Sequence, residues 1–155
     1  NTFNDYSNQK LEKATNELYN VLKEDLSQFN HNLTICIVPR SKSLNSYSNK
    51  QLLFKSVVKK IAKELGFNDG TDYIIRHTNT KTTHLARSEY GGSGDMPYPG
   101  ITKNTCNISV DVQGKDILLI DDIYTNNVNI DEDVIQTLLS YNANSVIFYS
   151  VGKTI

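Results

Sequence analysis

Residues 117–138 read Ile-Leu-Leu-Ile-Asp-Asp-Ile-Tyr-Thr-Asn-Asn-Val-Asn-Ile-Asp-Glu-Asp-Val-Ile-Gln-Thr-Leu, and their order decides the fold. The apolar run 117–120 predicts a strand buried on both faces. It stops at two adjacent carboxylates, Asp121 and Asp122. A polar stretch follows over 124–129, and then Val134, Ile135, Leu138 and Leu139 recur at helical spacing. Strand, acid pair, polar turn and helix start is the order in which an open α/β sheet holds a ligand at the carboxyl ends of its strands. A helix N-terminus offers unpaired N–H groups to a phosphate, and carboxylates accept hydrogen bonds from sugar hydroxyls.

Outward from this segment the rest of the chain falls into alternating elements. Over 7–29, Leu11, Ala14, Leu18, Val21, Leu22 and Leu26 keep helical spacing between Lys and Glu, which predicts an amphipathic helix. Residues 33–38 form a short β-rich run that Pro39 breaks. A polar, basic loop spans 40–49, and a second helix runs over 50–65 to a stop at Gly66. Residues 72–76 predict another brief strand. From 77 to 104 the periodicity dissolves into Thr, Ser, Lys and Arg punctuated by glycines and prolines. So long a stretch is a lid, a binding loop or disorder. Residues 108–112 predict a strand at its exit, Gly114 a turn, Asn142 a position tolerant of positive φ, and 145–151 the last strand. No internal repeat is visible. The expectation is one α/β domain over 1–155, in three layers. A mainly parallel sheet of about five strands lies between helices on both faces, with an N-terminal amphipathic helix within 1–30 and a flexible loop over 77–104.

Composition bounds the partners. The 155 residues suit a single sizeable core, and 16 Lys+Arg against 17 Asp+Glu give a net charge of −1. That balance supplies no bulk drive toward nucleic acid or anionic lipid, so local basic clusters must carry any phosphate recognition. No apolar stretch approaches the ~20 residues that cross a bilayer, and no secretory signal pattern is present. Cys36 lies in an apolar strand, where it reads as core, and Cys106 in a polar segment. Their spacing fits no metal motif and suits a reducing cytoplasm. The chain opens on Asn1 rather than Met, which fits a trimmed chain or a piece of a longer one.

With these elements in order, the chain resembles a type I phosphoribosyltransferase, and more narrowly the ComF-like (amidophosphoribosyltransferase-like) branch. That family's signature is an apolar strand, two acids, an aliphatic pair and then Thr-Thr-Gly-x-Thr opening a helix. Here it reads Ile120-Asp121-Asp122-Ile123-Tyr124-Thr125-Asn126-Asn127-Val128-Asn129. Ile37-Val38-Pro39-Arg40-Ser41-Lys42 is similar to the family's pyrophosphate-binding loop, and Ile75-Arg76 with the Thr/Lys-rich stretch after it to the long flexible loop. The resemblance covers most of residues 33–153. It implies a ligand such as phosphoribosyl pyrophosphate (PRPP) or a nucleotide. It also implies transfer of the phosphoribosyl group to or from a nitrogenous base or amine, with pyrophosphate as co-product and Mg²⁺ bound with PRPP. On that reading Asp121 and Asp122 bind the ribose 2′- and 3′-hydroxyls, stabilise positive charge developing at the ribose, and meet the metal only through the substrate. Thr125, Asn126, Asn127, Val128 and Asn129 wrap the 5′-phosphate. Arg40, Ser41 and Lys42, with Arg76, Lys81 and Arg87 from the long loop, hold pyrophosphate. Tyr124 contacts the base or acceptor. Asn126, Asn127 and Asn129 stand where the family has Thr, Gly and Thr. Asn follows Gly in tolerance of left-handed geometry, and its amide can donate to a phosphate.

Each signal also has a plainer reading. Asp121 and Asp122 could cap backbone at a strand end, although adjacent buried acids are costly without partners. The turn could be simple capping, with Asn129 and Glu132 spaced as a capping-box-like pair. Asp131, Glu132 and Asp133 complement the helix dipole but would repel a phosphate they faced, so a phosphate site requires them to point outward. Arg40 and Lys42 could be a solvated loop. Arg76, Lys81, His84 and Arg87 could belong to a lid that closes over substrate or to disorder, and Tyr124 could fill surface. The rival function is a non-catalytic PRPP or nucleotide sensor, or a ComF-like regulatory module related to DNA uptake. A third is a toxin or nucleic-acid processing factor with a partner domain. The expected partner is a small molecule, with room for a homodimer or partner domain and no membrane.

Overall fold

The computed structural model describes residues 7–80, 101–126 and 128–154. Helix α1 (Asn8–Leu26) starts where the Ser7 hydroxyl accepts from the Lys10 N–H at 3.4 Å, and its stripe buries Leu11, Leu22 and Leu26. Strand β1 (Thr34–Ile37) is buried throughout and ends at Pro39, which has no N–H to continue a ladder. Two short 3₁₀ turns, Leu44–Ser46 and Asn49–Leu52, lead into α2 (Leu53–Leu65). Val57, Val58, Ile61 and Ala62 form its buried face, and Gly66 closes it at φ 78°. A two-residue strand β2 (Asn68–Asp69) and then β3 (Ile74–Arg76) follow. A five-residue helix α3 (Ile101–Thr105) runs directly into β4 (Cys106–Ile108). Strand β5 (Asp116–Tyr124), helix α4 (Ile130–Ser140) and strand β6 (Ser145–Lys153) complete the described chain.

The main sheet has four strands in the order β2-β1-β5-β6, all parallel, and β3 pairs antiparallel with β4 as a separate ribbon. The expected count of about five is four among the described residues, because the strands expected at 72–76 and 108–112 leave the sheet as the β3–β4 ribbon and the unexpected β2 joins it. The strand expected at 108–112 ends at Ile108 and becomes a 3₁₀ turn, Val110–Val112. Alternation along the central strands sorts the core into two layers. Ile35, Ile37, Leu118 and Ile120 face α1 and α2, whereas Cys36, Ile117 and Leu119 face α4 and the β3–β4 ribbon. The run 117–120 is fully buried, as a strand covered on both faces requires.

The order of the strands positions the site. From β1 the chain leaves through α2 on one face to β2. From β5 it leaves through α4 on the other face to β6. The carboxyl ends of β1 and β5 therefore sit side by side while their connections depart in opposite directions, which opens a crevice at that edge. β5 also outruns β1. Their pairing ends at Ile37 opposite Ile120, and a last bond runs from the Val38 N–H to the Ile120 carbonyl at 2.9 Å. Beyond it, β5 continues along β6 as far as Tyr124 opposite Lys153. Asp121 and Asp122 lie within a strand with a neighbour on one side only, not at the strand end that the apolar run suggests.

Candidate functional site

A cavity of about 550 Å³ occupies that crevice. One wall is the loop after β1, with Pro39, Arg40, Ser41 and Lys42; the other is the end of β5 and the start of α4, with Asp121, Asp122, Thr125, Val128 and Asp131. Lys55 of α2 and Arg76 of β3 line it between these walls. Segments from four parts of the chain thus converge on one concavity, including most of the residues expected to bind ligand.

The basic wall is built by neutral partners. Arg40 Nη1 donates to the Gln51 carbonyl at 2.8 Å, and its guanidinium lies 4.6 Å from the Tyr47 ring centre. Lys42 Nζ donates to the Thr80 carbonyl at 2.8 Å, while its backbone N–H donates to the Tyr47 hydroxyl at 3.0 Å. Among the described residues neither side chain forms an ion pair, so both keep their charge available to an anion. Arg76 is 5% exposed; its Nε donates to the Arg40 carbonyl and its Nη1 to the Thr105 hydroxyl, both at 2.5 Å. Burial pushes its guanidinium below the usual value, opposed by Cys106, Tyr47 and Asp133. Arg76 is thereby a brace that holds the β1 loop against the β3–β4 ribbon, in addition to lining the cavity. Residues 77–80, at the start of the expected flexible loop, pack along the same loop: the Thr80 N–H donates to the Ser41 carbonyl at 2.7 Å and the Ser43 N–H to Asn79 Oδ1 at 2.8 Å. Lys81, His84 and Arg87 lie outside the described residues.

The acidic wall differs from expectation in three ways. Asp131 and Asp133 are buried, at 4% and 8% exposure, where a phosphate-binding turn requires them to face outward. Asp133 is accounted for, because its Oδ2 accepts the Thr102 N–H at 2.7 Å and so fixes the start of α3. Asp131 turns to the cavity, and its carboxyl meets that of Asp121. Burial first, then the charges of Asp122 and Asp131, hold the half-buried Asp121 carboxyl far above the usual carboxylate range. Burial likewise raises Asp131, opposed by its hydrogen bond with Asp121. Two carboxyls in hydrogen-bond contact share a proton. Asp122 is exposed, and its Oδ1 accepts the Ile123 N–H at 2.8 Å.

The second departure is the cap. Asn129, at φ 56°, takes the left-handed geometry that Asn tolerates, but its side chain makes no capping bond, so the capping box with Glu132 does not form. The third is Glu132, the acceptor for the Tyr124 hydroxyl at 2.8 Å. Tyr124 packs edge-on against Phe148, with ring centres 6.0 Å apart, and is not among the cavity-lining residues. Asn126 and Asn129 are exposed and likewise outside the lining; Asn127 lies outside the described residues. Sequence reading missed Lys55 and Asp131. For Asp131 a signal existed, since Asp131, Val134 and Leu138 follow i, i+3, i+7 and all three are buried.

No protein-family model and no curated relative matches this sequence. Among solved structures, the chain is similar to an adenine phosphoribosyltransferase from Thermoanaerobacter pseudethanolicus ATCC 33223, at 16% identity and a TM-score of 0.50, over 94% of this chain and 83% of that one. It also aligns with a purine phosphoribosyltransferase from Pyrococcus horikoshii Ot3, at 14% identity and a TM-score of 0.47, over 90% and 82%. At that identity the first likeness speaks to architecture: the chain has the phosphoribosyltransferase type of α/β fold.

Proposed function

We propose that the cavity binds a phosphoribosyl compound, PRPP or a nucleotide, and that the chain transfers the phosphoribosyl group to or from a nitrogenous base or amine. One observation carries this reading: the acid pair Asp121–Asp122 and the basic loop Arg40–Ser41–Lys42 face each other across one crevice at the switch point of the sheet. In this reading the ribose hydroxyls lie on Asp121 and Asp122, and Arg40 and Lys42 receive the diphosphate with charge-assisted hydrogen bonds, while Lys55 is paired with Asp72 at 2.5 Å. Positioning and charge stabilisation then do the chemical work as the anomeric carbon loses pyrophosphate and gains nitrogen. Among the described residues no cluster of three or more His, Cys, Asp or Glu side chains is arranged to hold a metal. Mg²⁺ would enter bound with PRPP, with Asp121 and Asp122 meeting it only through the substrate, which suits an ion that keeps much of its water.

A second reading, a non-catalytic sensor of the ComF-like kind, is favoured by a specific feature. Asp131 and Asp133 at the head of α4 are buried, and the 125–129 turn, where a transferase of this type would hold the 5′-phosphate, opens α4 without a side-chain cap. Both readings share the cavity and its acid pair. Titration of PRPP with and without Mg²⁺, followed by pyrophosphate release over a panel of bases, separates them: turnover supports the transferase, and binding without turnover the sensor. The double variant Asp121→Asn, Asp122→Asn should lose binding while keeping a native melting transition; unchanged binding by that variant sinks both readings.

A further inference from the structure

Among the described residues β6 is paired on one side only, by β5, over nine residues. Every second N–H and C=O of such an edge points away from its one neighbour and is open to another strand. The opposite edge, β2, consists of two polar, exposed residues, Asn68 and Asp69, too short to recruit one. β6 contains neither proline nor acid, and its one charge is Lys153 at its end. Alternation puts Ile147 and Val151 on the same face as Tyr149, which packs in the α1–α2 layer and whose hydroxyl reaches Asp25 of α1. Ile147 and Val151 are nevertheless 43% and 36% exposed, and Val21, one turn before Asp25, is 46% exposed. An apolar strip therefore runs from the helix to the open edge of the sheet.

We propose that this edge is an interface between two copies of the chain, with β6 pairing antiparallel to β6 of the second copy about a two-fold axis at Tyr149. The two four-stranded sheets then become one. Such an axis sets each residue opposite its mirror position in the strand, and β6 is self-complementary in that register. Ile147 lies opposite Val151, twice, so the exposed apolar side chains of the strand cover each other. Ser145 lies opposite Lys153, and Ser145 is the register partner of Asp116 on β5. Lys153 of each copy therefore comes beside Asp116 of the other, on the same face of the sheet. Within one chain Asp116 accepts from neutral donors, the side chains of Asn144 and Ser145, and its carboxylate is left to pair with a cation. Moving the axis to Phe148 sets Val151 against Ser145, and moving it to Ser150 sets Ile147 against Lys153. Only the axis at Tyr149 matches apolar with apolar and charge with opposite charge. The pairing is independent of what the cavity binds.

The test is sedimentation velocity of the full chain over about 1–100 μM, with the variants Ile147→Lys, Lys153→Asp and the double variant Lys153→Asp, Asp116→Lys, and a melting curve of each. At the upper concentrations the wild type should sediment at twice the chain mass of 17.5 kDa. Ile147→Lys sets a charge against Val151 and should weaken association roughly tenfold or more. Lys153→Asp brings two acids together and should weaken it to a similar degree. The double variant exchanges the charges and should recover most of that loss. A wild type that stays monomeric at every concentration overturns the proposal and leaves the edge to a different strand. A dimer indifferent to Ile147→Lys overturns it as well, because the two copies then meet elsewhere. So does a double variant that melts like the wild type yet associates no better than Lys153→Asp alone, since the register about Tyr149 requires the exchange to work.

Discussion

A single proton shared by Asp121 and Asp131 should be visible in the pH dependence of stability. Both carboxyls are held above the usual carboxylate range, chiefly by burial. An acid raised in the folded state keeps a proton that the unfolded chain has released, so each rise in pH above the ordinary value favours unfolding. The depressed acids Glu64, Asp72 and Asp116 act in the opposite sense, but their contribution is complete once pH exceeds their ordinary values of 4.5 and 3.8. The buried Cys36 thiol, pushed up to about 12, matters only above its ordinary value of 9.0. Between roughly pH 5.5 and 8.5 the acid pair therefore dominates. Urea midpoints should fall steadily across that window in the wild type, and Asp121→Asn should flatten the slope. An equal slope in the variant would mean the pair holds no extra proton.

Two glycines separate conformational cost from crowding at the level of elements. Gly66 ends α2 at φ 78°, and a Cβ there would meet nothing within 4 Å. Gly66→Ala should cost about 1–2 kcal/mol, the penalty for left-handed backbone alone. At Gly70 the chain passes over β1, and a Cβ would lie 2.7 Å from Thr34 Cγ2, 2.9 Å from the Ile35 carbonyl oxygen and 3.0 Å from Cys36 Sγ. Those atoms belong to a fully buried strand that cannot give way, so Gly70→Ala should cost about 3 kcal/mol or more. Denaturant titration of both variants reads the difference directly; a Gly70→Ala cost below that of Gly66→Ala would contradict the packing of β2 against β1. The same short strand escaped sequence reading because two polar, exposed residues, Asn68 and Asp69, carry no hydrophobic period.

The whole molecule is a sheet clamped from two sides. Leu118 packs with α1 and α2, Leu119 with α4, and both are fully buried. Leu118→Ala and Leu119→Ala should each cost about 2–5 kcal/mol, which for a chain of this size lowers Tm by at least ~5 °C. A large loss at one position only would mean that one helical layer is not seated on the sheet. Contacts far apart in sequence complete the clamp: the Tyr149 hydroxyl donates to Asp25 Oδ2 at 2.6 Å, 124 residues away. Among the described residues no helix is long and apolar enough to cross a membrane.

What the sequence determined by itself was everything carried by short-range pattern. Helical spacing located α1, α2 and α4, the apolar run located the core of β5, Gly66 marked a helix stop, Gly114 a turn and Asn142 a positive φ, and the backbone takes φ 78°, 70° and 65° at these three. Only tertiary structure decided which strands share a sheet, because pairing depends on where the crossovers return the chain rather than on any local period. It alone also decided where the charged residues face. Asp131 shares its buried helix face with Val134 and Leu138, a spacing the sequence carries, but what that face meets at the crevice between β1 and β5 is set by the fold. Placement across that crevice, set by segments far apart in the chain, with 91 residues between Arg40 and Asp131 (131 less 40), is a property of the assembled fold.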